Sequence, residues 1–190
     1  EGDPGSAVFM QVPAGNGTYT VTDNSSNQGN AYWTSASVSN ASAWVADTYS
    51  LSFTAADSWE VRNSSGSLVG SGSYSSGQSI AFAGVSIGFE GTPVAGDQFV
   101  VAQSGFQSVF KTVQDFLTTL DVDTGSPAGR AAFQNRLNSN LTNIDQSLQH
   151  FGNIQSQVGA RLATIERQQS SNADMSLDLS QSISVIRDLD

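Results

Sequence analysis

Few side chains in this sequence have the chemistry or the spacing that a reactive site requires. His150 is the only histidine and cysteine is absent, which excludes a thiolate nucleophile and a cysteine-based zinc site. Serine–histidine catalysis would also need a supporting acid and a cleft, whereas His150 lies in a segment with helical periodicity. We interpret His150 as a half-exposed helix residue, and we expect a non-enzymatic protein without metal or cofactor.

The segment Asp121–Gly125 resembles a calcium-binding loop only superficially. Its glycine falls one position early, and the twelfth position is Ala132 instead of the bidentate glutamate that such loops use. We interpret this segment as a loop that terminates a helix.

Two pairs of acidic residues, Asp57 with Glu60 and Glu90 with Asp97, lie close together in the sequence. Paired carboxylates at a suitable separation can hydrolyse glycosidic bonds, but the sequence does not give that separation. A solvated surface is our interpretation, and a hydrolase remains an alternative that would require clustered acids in a deep pocket.

Five aromatic residues, Tyr32, Trp33, Trp44, Tyr49 and Trp59, could form a platform for glycans. In a small β domain such side chains more often form the core, because each buries a large apolar area. We take the core as our interpretation. A carbohydrate-binding or adhesive β module on a coiled-coil stalk is kept as an alternative.

The charge of the chain is sparse and mostly negative, with 17 acidic and 7 basic residues among 190. Residues 1–104 carry eight acids and one base, Arg62, a net charge of −7. Such a chain repels nucleic acid and anionic lipid, and no apolar run approaches the ~18 residues of a membrane span. No signal peptide is visible and the chain begins with Glu1 instead of Met, so we expect residue 1 to be the start of a fragment.

Residues 1–104 predict a β-rich outer domain. Apolar and polar residues alternate in segments such as Thr48–Thr54, and Asn63-Ser64-Ser65-Gly66 is typical of a hairpin turn. Short strands separated by turn residues predict a small antiparallel β-sandwich or barrel.

Residues 105–190 predict a helical rod domain, with a short helix at about 106–121 and a long helix at about 127–188. The long helix carries an apolar stripe with steps of three, four or seven residues: Phe133, Leu137, Leu141, Ile144, Leu148, Phe151, Val158, Leu162 and Ile165. Such a helix would be roughly 90 Å long. The fold class predicted is therefore α+β, with a coiled-coil-like rod.

The rod cannot cover this apolar stripe with its own short helix. About seven apolar residues on that helix contribute roughly 10–20 kcal/mol. Ordering sixty helical residues costs on the order of 1–2 kcal/mol each. We therefore expect at least one further helix, absent from this sequence, to pack against the stripe. It would belong to another segment of the parent protein or to another chain.

The segment Val158–Glu166 resembles the carboxy-terminal helix of the flagellin-like family. The β segments Asp47–Phe53, Trp59–Arg62, Ile80–Val85 and Pro93–Phe99 are similar to the outer domain of the bacterial family of flagellar hook-associated protein 3, which joins hook and filament. The resemblance extends from about Asp47 to the end of the chain. Flagellin itself, with the same stem, is the nearest alternative.

The resemblance implies a structural role in the flagellum, outside the cell, after type III export without a cleaved signal peptide. It also implies that this fragment lacks the N-terminal helices of the family. Its partners would be the first hook-associated protein, flagellin and copies of itself in a ring, with an export chaperone as a further partner, and neither nucleic acid nor membrane. Within the matching motif, Gly159, Arg161, Leu162, Ile165 and Glu166 would contribute to helix packing and assembly.

Overall fold

The computed structural model describes residues 8–188. The chain divides into two compact units, Glu1–His150 and Phe151–Asp190. The first unit contains every described strand, the short helix and the first part of the long helix, and the second contains the rest of the long helix. The predicted domains, 1–104 and 105–190, separate the chain by type of secondary structure and stay a prediction.

The strands of the first unit pair only in antiparallel fashion and form what we call the β module. A two-stranded pair joins β1 to β10, a five-stranded sheet has the order β2-β9-β4-β5-β6, and a three-stranded sheet has the order β3-β8-β7. The strands are β1 Val12–Pro13, β2 Tyr19–Asp23, β3 Tyr32–Val38, β4 Thr48–Ala55, β5 Ser58–Arg62, β6 Leu68–Ser73, β7 Ser79–Phe82, β8 Val85–Glu90, β9 Gln98–Gln103 and β10 Phe106–Gln107.

The core of the β module follows from the alternation seen in the sequence. Tyr49, Leu51 and Phe53 of β4 are all buried, whereas the serines between them are only half-buried. Phe89 and Phe99, from one strand of each sheet, meet at a ring-centroid distance of 4.9 Å. Edge-to-face contacts of this kind add to the stabilisation that burial itself supplies.

The aromatic residues of the suggested glycan platform divide between core and surface. Trp33 and Tyr49 are buried, and the half-buried Trp44 packs between Tyr49 and Tyr19, with ring centroids 5.6 Å from each. The indole of Trp59 lies against Gly72 of the neighbouring strand, where a Cβ atom would stand 3.0 Å from it. These positions favour packing as the main role of the tryptophans.

The hairpin between β5 and β6 has the turn that its residues predict. Gly66 adopts a φ of +79°, and its N–H donates to the Asn63 carbonyl at 2.9 Å. The Asn63 side chain also accepts from the Ser67 amide at 2.9 Å. Glycine is needed here because other residues rarely adopt a positive φ.

Two helices follow the strands: α1, Val109–Leu120, and α2, Pro127–Arg187. The predicted start of α1 near residue 106 is wrong by about one turn, because Phe106–Gln107 pair with β1 as a strand. Ser108 then caps the helix, its hydroxyl accepting from the Lys111 amide at 3.0 Å. Within residues 8–188, neither helix has the length together with the apolar character that crossing a membrane requires.

Helix α2 starts where the sequence indicates. The Ser126 hydroxyl accepts from the Gly129 amide at 2.9 Å, and Pro127 occupies the first helical position. The helix then continues for 61 residues to Arg187. The α+β fold class with a long carboxy-terminal helix is confirmed.

Candidate assembly surface

Helix α2 contacts the β module through a polar face. Asn135, Asn138, Ser139 and Asn143, which we call the polar face, lie at offsets of zero, three, four and eight residues. At about 100° per residue these offsets place them on one side of the helix. Asn135 is buried and the other three are half-buried.

Each side chain of the polar face bonds to backbone atoms of the β module. The Trp33 amide donates to Asn135 Oδ1 at 2.9 Å, and Asn138 Nδ2 donates to the Trp33 carbonyl at 2.7 Å. Ser139 Oγ donates to the Val21 carbonyl at 3.3 Å. The Gly15 amide donates to Asn143 Oδ1 at 2.7 Å.

Three of these four bonds are made to strands at the edges of two sheets. Trp33 belongs to β3 and Val21 to β2, and each of these strands is the last strand of its sheet. An open edge presents unpaired N–H and C=O groups that would otherwise pair with another chain. The polar face satisfies some of these groups, so α2 protects the edges and anchors the module.

The apolar stripe of α2 lies about 180° around the helix from the polar face. In the first unit Phe133 and Leu137 are half-buried, whereas Leu141, Ile144 and Leu148 are exposed, Leu148 to 63%. From Leu141 onward, the β module therefore leaves the stripe of the first unit uncovered.

The part of the stripe in the second unit is also largely accessible in this chain. Phe151 is half-buried, and the remaining predicted assembly residues are exposed: Val158, Gly159, Arg161, Leu162, Ile165 and Glu166. Their predicted role in helix packing stays a prediction.

Helix α1 shows the same arrangement of faces. Its buried residues are Thr112 and Thr119, and Thr119 Oγ1 accepts from Asn140 Nδ2 of α2 at 2.9 Å. Four of its large apolar side chains are exposed, Phe110, Val113, Leu117 and Leu120, whereas Val109 and Phe116 are half-buried. On both helices the most deeply buried side chains are thus mainly polar, and most of the large apolar side chains are exposed.

Sequence reasoning identified the apolar stripe but missed the polar face. The signal was present, since three asparagines and a serine recur at helical spacing opposite the stripe. Polar residues on an amphipathic helix usually indicate a solvated surface, so their role as anchors was not anticipated.

A cleft of about 490 Å³ lies between β2, α1 and α2. Its lining includes Asp23, Lys111, Asp115, Arg136 and Asn140. Lys111 and Asp115 pair with each other at 2.8 Å on one turn of α1. Burial raises the pKa of the Asp23 carboxyl, and its own backbone amide and the charge of Arg136 only partly oppose this shift.

Replacing Asp23 by asparagine should stabilise the protein at pH 7 but not at pH 3. As the pH rises through the ordinary value of 3.8, the unfolded chain loses the Asp23 proton before the folded chain does. At low pH the protonated Asp23 carboxyl is compatible with its buried site and does not reduce the free energy of unfolding. Above pH 3.8 the ionised carboxylate is better solvated in the unfolded chain, so the free energy of unfolding decreases. Urea unfolding of Asp23→Asn and the parent at both pH values measures the difference. Equal effects at the two pH values would contradict this account.

Three of the four acidic residues paired in the sequence analysis, Glu60, Glu90 and Asp97, have other partners in the structure. Arg62 bonds to Glu60 at 2.9 Å and lowers its pKa, and the Tyr32 hydroxyl donates to Glu90 at 2.6 Å. Asp97 is buried and accepts from backbone amides. In the part of the chain that the structure describes, no three histidine or acidic side chains converge on a metal position.

Comparison with known proteins identifies similar sequences and structures. Residues 22–103 match the family described as flagellar hook-associated protein 1, D2-like domain. The crystal structure of flagellar hook-associated protein-3 from Legionella pneumophila is 31% identical, with a TM-score of 0.91, and the match covers 99% of this chain and 61% of that one. FlgL from Xanthomonas campestris is 36% identical, with a TM-score of 0.80, over 86% of this chain and 54% of that one.

A third structure, the flagellar junction protein FlgL from Legionella pneumophila, is 32% identical with a TM-score of 0.85. It is matched over 95% of this chain and 59% of its own length. The chain thus spans between 54% and 61% of the length of these three relatives. No curated protein matches the chain.

Proposed function

Because the chain belongs to the family of flagellar hook-associated junction proteins, we propose that it is a structural part of the bacterial flagellum, located between hook and filament. The proposal applies to a longer parent protein, since the solved relatives extend well beyond the matched region. The parent acts by packing, and no catalytic step is assigned to it.

The observation that carries this proposal is the outward direction of the apolar residues on both helices. Most large apolar side chains of α1 and the stripe residues Leu141, Ile144 and Leu148 are exposed, while the polar face of α2 contacts the β module. Apolar surface on this scale normally marks an interaction site. Its occupants are further helices of the parent and of neighbouring subunits.

The proposed assembly residues have distinct roles along the stripe. Phe133, Leu137, Leu141, Ile144, Leu148, Phe151, Val158, Leu162 and Ile165 supply apolar contact area. A Cβ atom added at Gly159 would face open space, so another helix has room to approach closely here. Arg161 and Glu166 are exposed and can pair with charges on a neighbour.

The proposed partners are the axial components on either side of the junction. We assign the first hook-associated protein to one side, flagellin to the other, and copies of the same subunit to a ring. Export through the flagellar type III apparatus, with a chaperone, would deliver the subunit outside the cell without cleavage of a signal peptide. The charge of −7 on residues 1–104 is unfavourable for nucleic acid and anionic membranes.

Flagellin is less well supported as an identity for the parent. Residues 22–103 match a hook-associated family, and the three solved structures described above are FlgL or hook-associated protein-3. A glycan-binding role is also less well supported, because Trp33 and Tyr49 of the suggested platform lie in the core.

A pull-down with the purified full-length parent tests the proposed function. We expect it to retain both the first hook-associated protein and flagellin, and we expect deletion of the parent gene to produce hooks without filaments. Truncating the parent to this 190-residue chain should abolish both interactions, because the additional helices are lost. Retention of neither protein by the full-length parent would overturn the proposal.

A further inference from the structure

Two asparagines of α2 form hydrogen bonds with the backbone of a single residue, Trp33, at the edge of strand β3. Trp33 pairs with Phe89 of β8 on one side of β3. Its N–H and C=O bond instead to Asn135 and Asn138, at 2.9 Å and 2.7 Å. In an antiparallel sheet the next strand would supply one acceptor and one donor to such a residue. The two asparagine side chains therefore substitute for a missing neighbouring strand.

The attachment involves three separate segments of the β module. Besides Trp33 on β3, Ser139 bonds to Val21 on β2, and Asn143 bonds to Gly15 in the turn before β2. Contacts at three segments constrain both the tilt and the rotation of the module on the helix. A single contact would leave a hinge.

All of these bonds are made to backbone atoms. The orientation of the module consequently depends on the amide and hydroxyl groups of α2 and on strand geometry, whatever side chains the strands carry. Asn135 is 2% exposed, so water has little access to replace its bond to Trp33. The indole Nε1 of Trp33 has no hydrogen-bond partner among the described residues, so only the backbone of Trp33 is anchored by hydrogen bonds.

We propose that Asn135 and Asn138 are positioning residues that set the orientation of the β module on helix α2. They do so by hydrogen bonding to the backbone N–H and C=O of Trp33. The two residues make the module and the first part of α2 move as one body. The inference concerns contacts within the first unit and holds whether or not the chain functions in the flagellum.

The absence of cysteine permits a direct measurement of this orientation. Spin labels introduced by Ser71→Cys on β6 and Gln149→Cys on α2 occupy exposed positions in the first unit. Pulsed electron spin resonance of the labelled chain should give one narrow distance distribution. Adding Asn135→Leu and Asn138→Leu, which keep the side-chain size but remove the bonds, should broaden or shift that distribution.

The matched control is Asn153→Leu, at an exposed position of the same helix. It should leave the distance distribution unchanged. Circular dichroism should show equal helix and strand content in all variants, which separates a positioning role from general unfolding. Amide exchange should accelerate at least tenfold at Trp33 in Asn135→Leu, without a comparable change at the core residue Phe99.

If the double variant does not fold, Asn138→Ala decides the question. Asn138 is half-buried, and its replacement leaves the bond between the Trp33 amide and Asn135 in place. A broadened distribution in folded Asn138→Ala supports the proposal. An unchanged narrow distribution in every folded variant lacking one or both asparagines overturns it.

Discussion

Leu148→Asp is expected to leave this chain folded and to prevent the full-length parent from assembling. Leu148 is 63% exposed, so a carboxylate at this position stays hydrated in the isolated chain. The substitution then costs only a difference in helix propensity, about 0.5 kcal/mol. In the parent the same side chain would be covered by another helix, where burial of an unpaired charge costs several kcal/mol.

Thermal melting followed by circular dichroism measures the first half of this prediction, and co-precipitation with the neighbouring flagellar proteins measures the second. The melting temperature of the 190-residue chain should change by no more than about 2 °C, since ~0.5 kcal/mol corresponds to 1–2 °C in a protein of this size. Binding by the parent should decrease at least tenfold. Leu162→Asp should behave alike, because Leu162 is also exposed.

Gln149→Asp is the control, since this residue is exposed and adjacent to Leu148 but outside the apolar stripe. It should affect neither melting nor assembly. A large loss of stability in the isolated chain carrying Leu148→Asp would show that the stripe is already packed in this fragment. Normal assembly of the parent with that substitution would remove the stripe from the proposed interface.

Asp97→Ala is expected to destabilise the β module by about 3–5 kcal/mol, because it removes the acceptor for three backbone amides, of which that of Gly29 is buried. Asp97 is 3% exposed. Its Oδ1 accepts from the amides of Gln28 and Gly29 at 2.8 Å and 3.3 Å, and its Oδ2 accepts from Gly29 and Val94 at 3.0 Å and 2.9 Å. The carboxylate thus joins the loop after β2 to the loop before β9.

Urea unfolding monitored by tryptophan fluorescence measures the loss, and the melting temperature should decrease by about 6–20 °C. Asp57→Ala, at an exposed turn position, is the matched control and should change stability by less than about 0.5 kcal/mol. Gly29→Ala should reproduce the defect independently, because its Cβ would collide with the Asp97 carboxylate. A change below about 1 kcal/mol in Asp97→Ala would contradict the assigned role.

The strand pattern of the β module was readable from local sequence. Alternation in Thr48–Ala55 predicted which side chains are buried, and the turn residues at Asn63–Gly66 predicted the hairpin. Such signals work because a residue's burial in a strand depends on a period of two and on local turn geometry. The role of Asp97 was not readable, since its partners lie three residues and about seventy residues away.

The start of α1 shows how a tertiary contact overrides local periodicity. Phe106 continues the apolar spacing of the helix, yet its backbone pairs with Pro13, which is more than ninety residues earlier in the chain. A period measured along the sequence contains no information about this pairing. Ser108 marked the true boundary, because a serine hydroxyl is well suited to cap the first turn.

The sequence by itself determined that two amphipathic helices follow a strand-rich module, and that one of them carries an apolar stripe needing a partner. Only the tertiary structure decided which face of each helix meets the module. Asn135 and Asn138 face it because the open edge of β3 presents polar backbone groups that apolar side chains could not satisfy. The apolar residues consequently point away from the module, to where further helices can cover them.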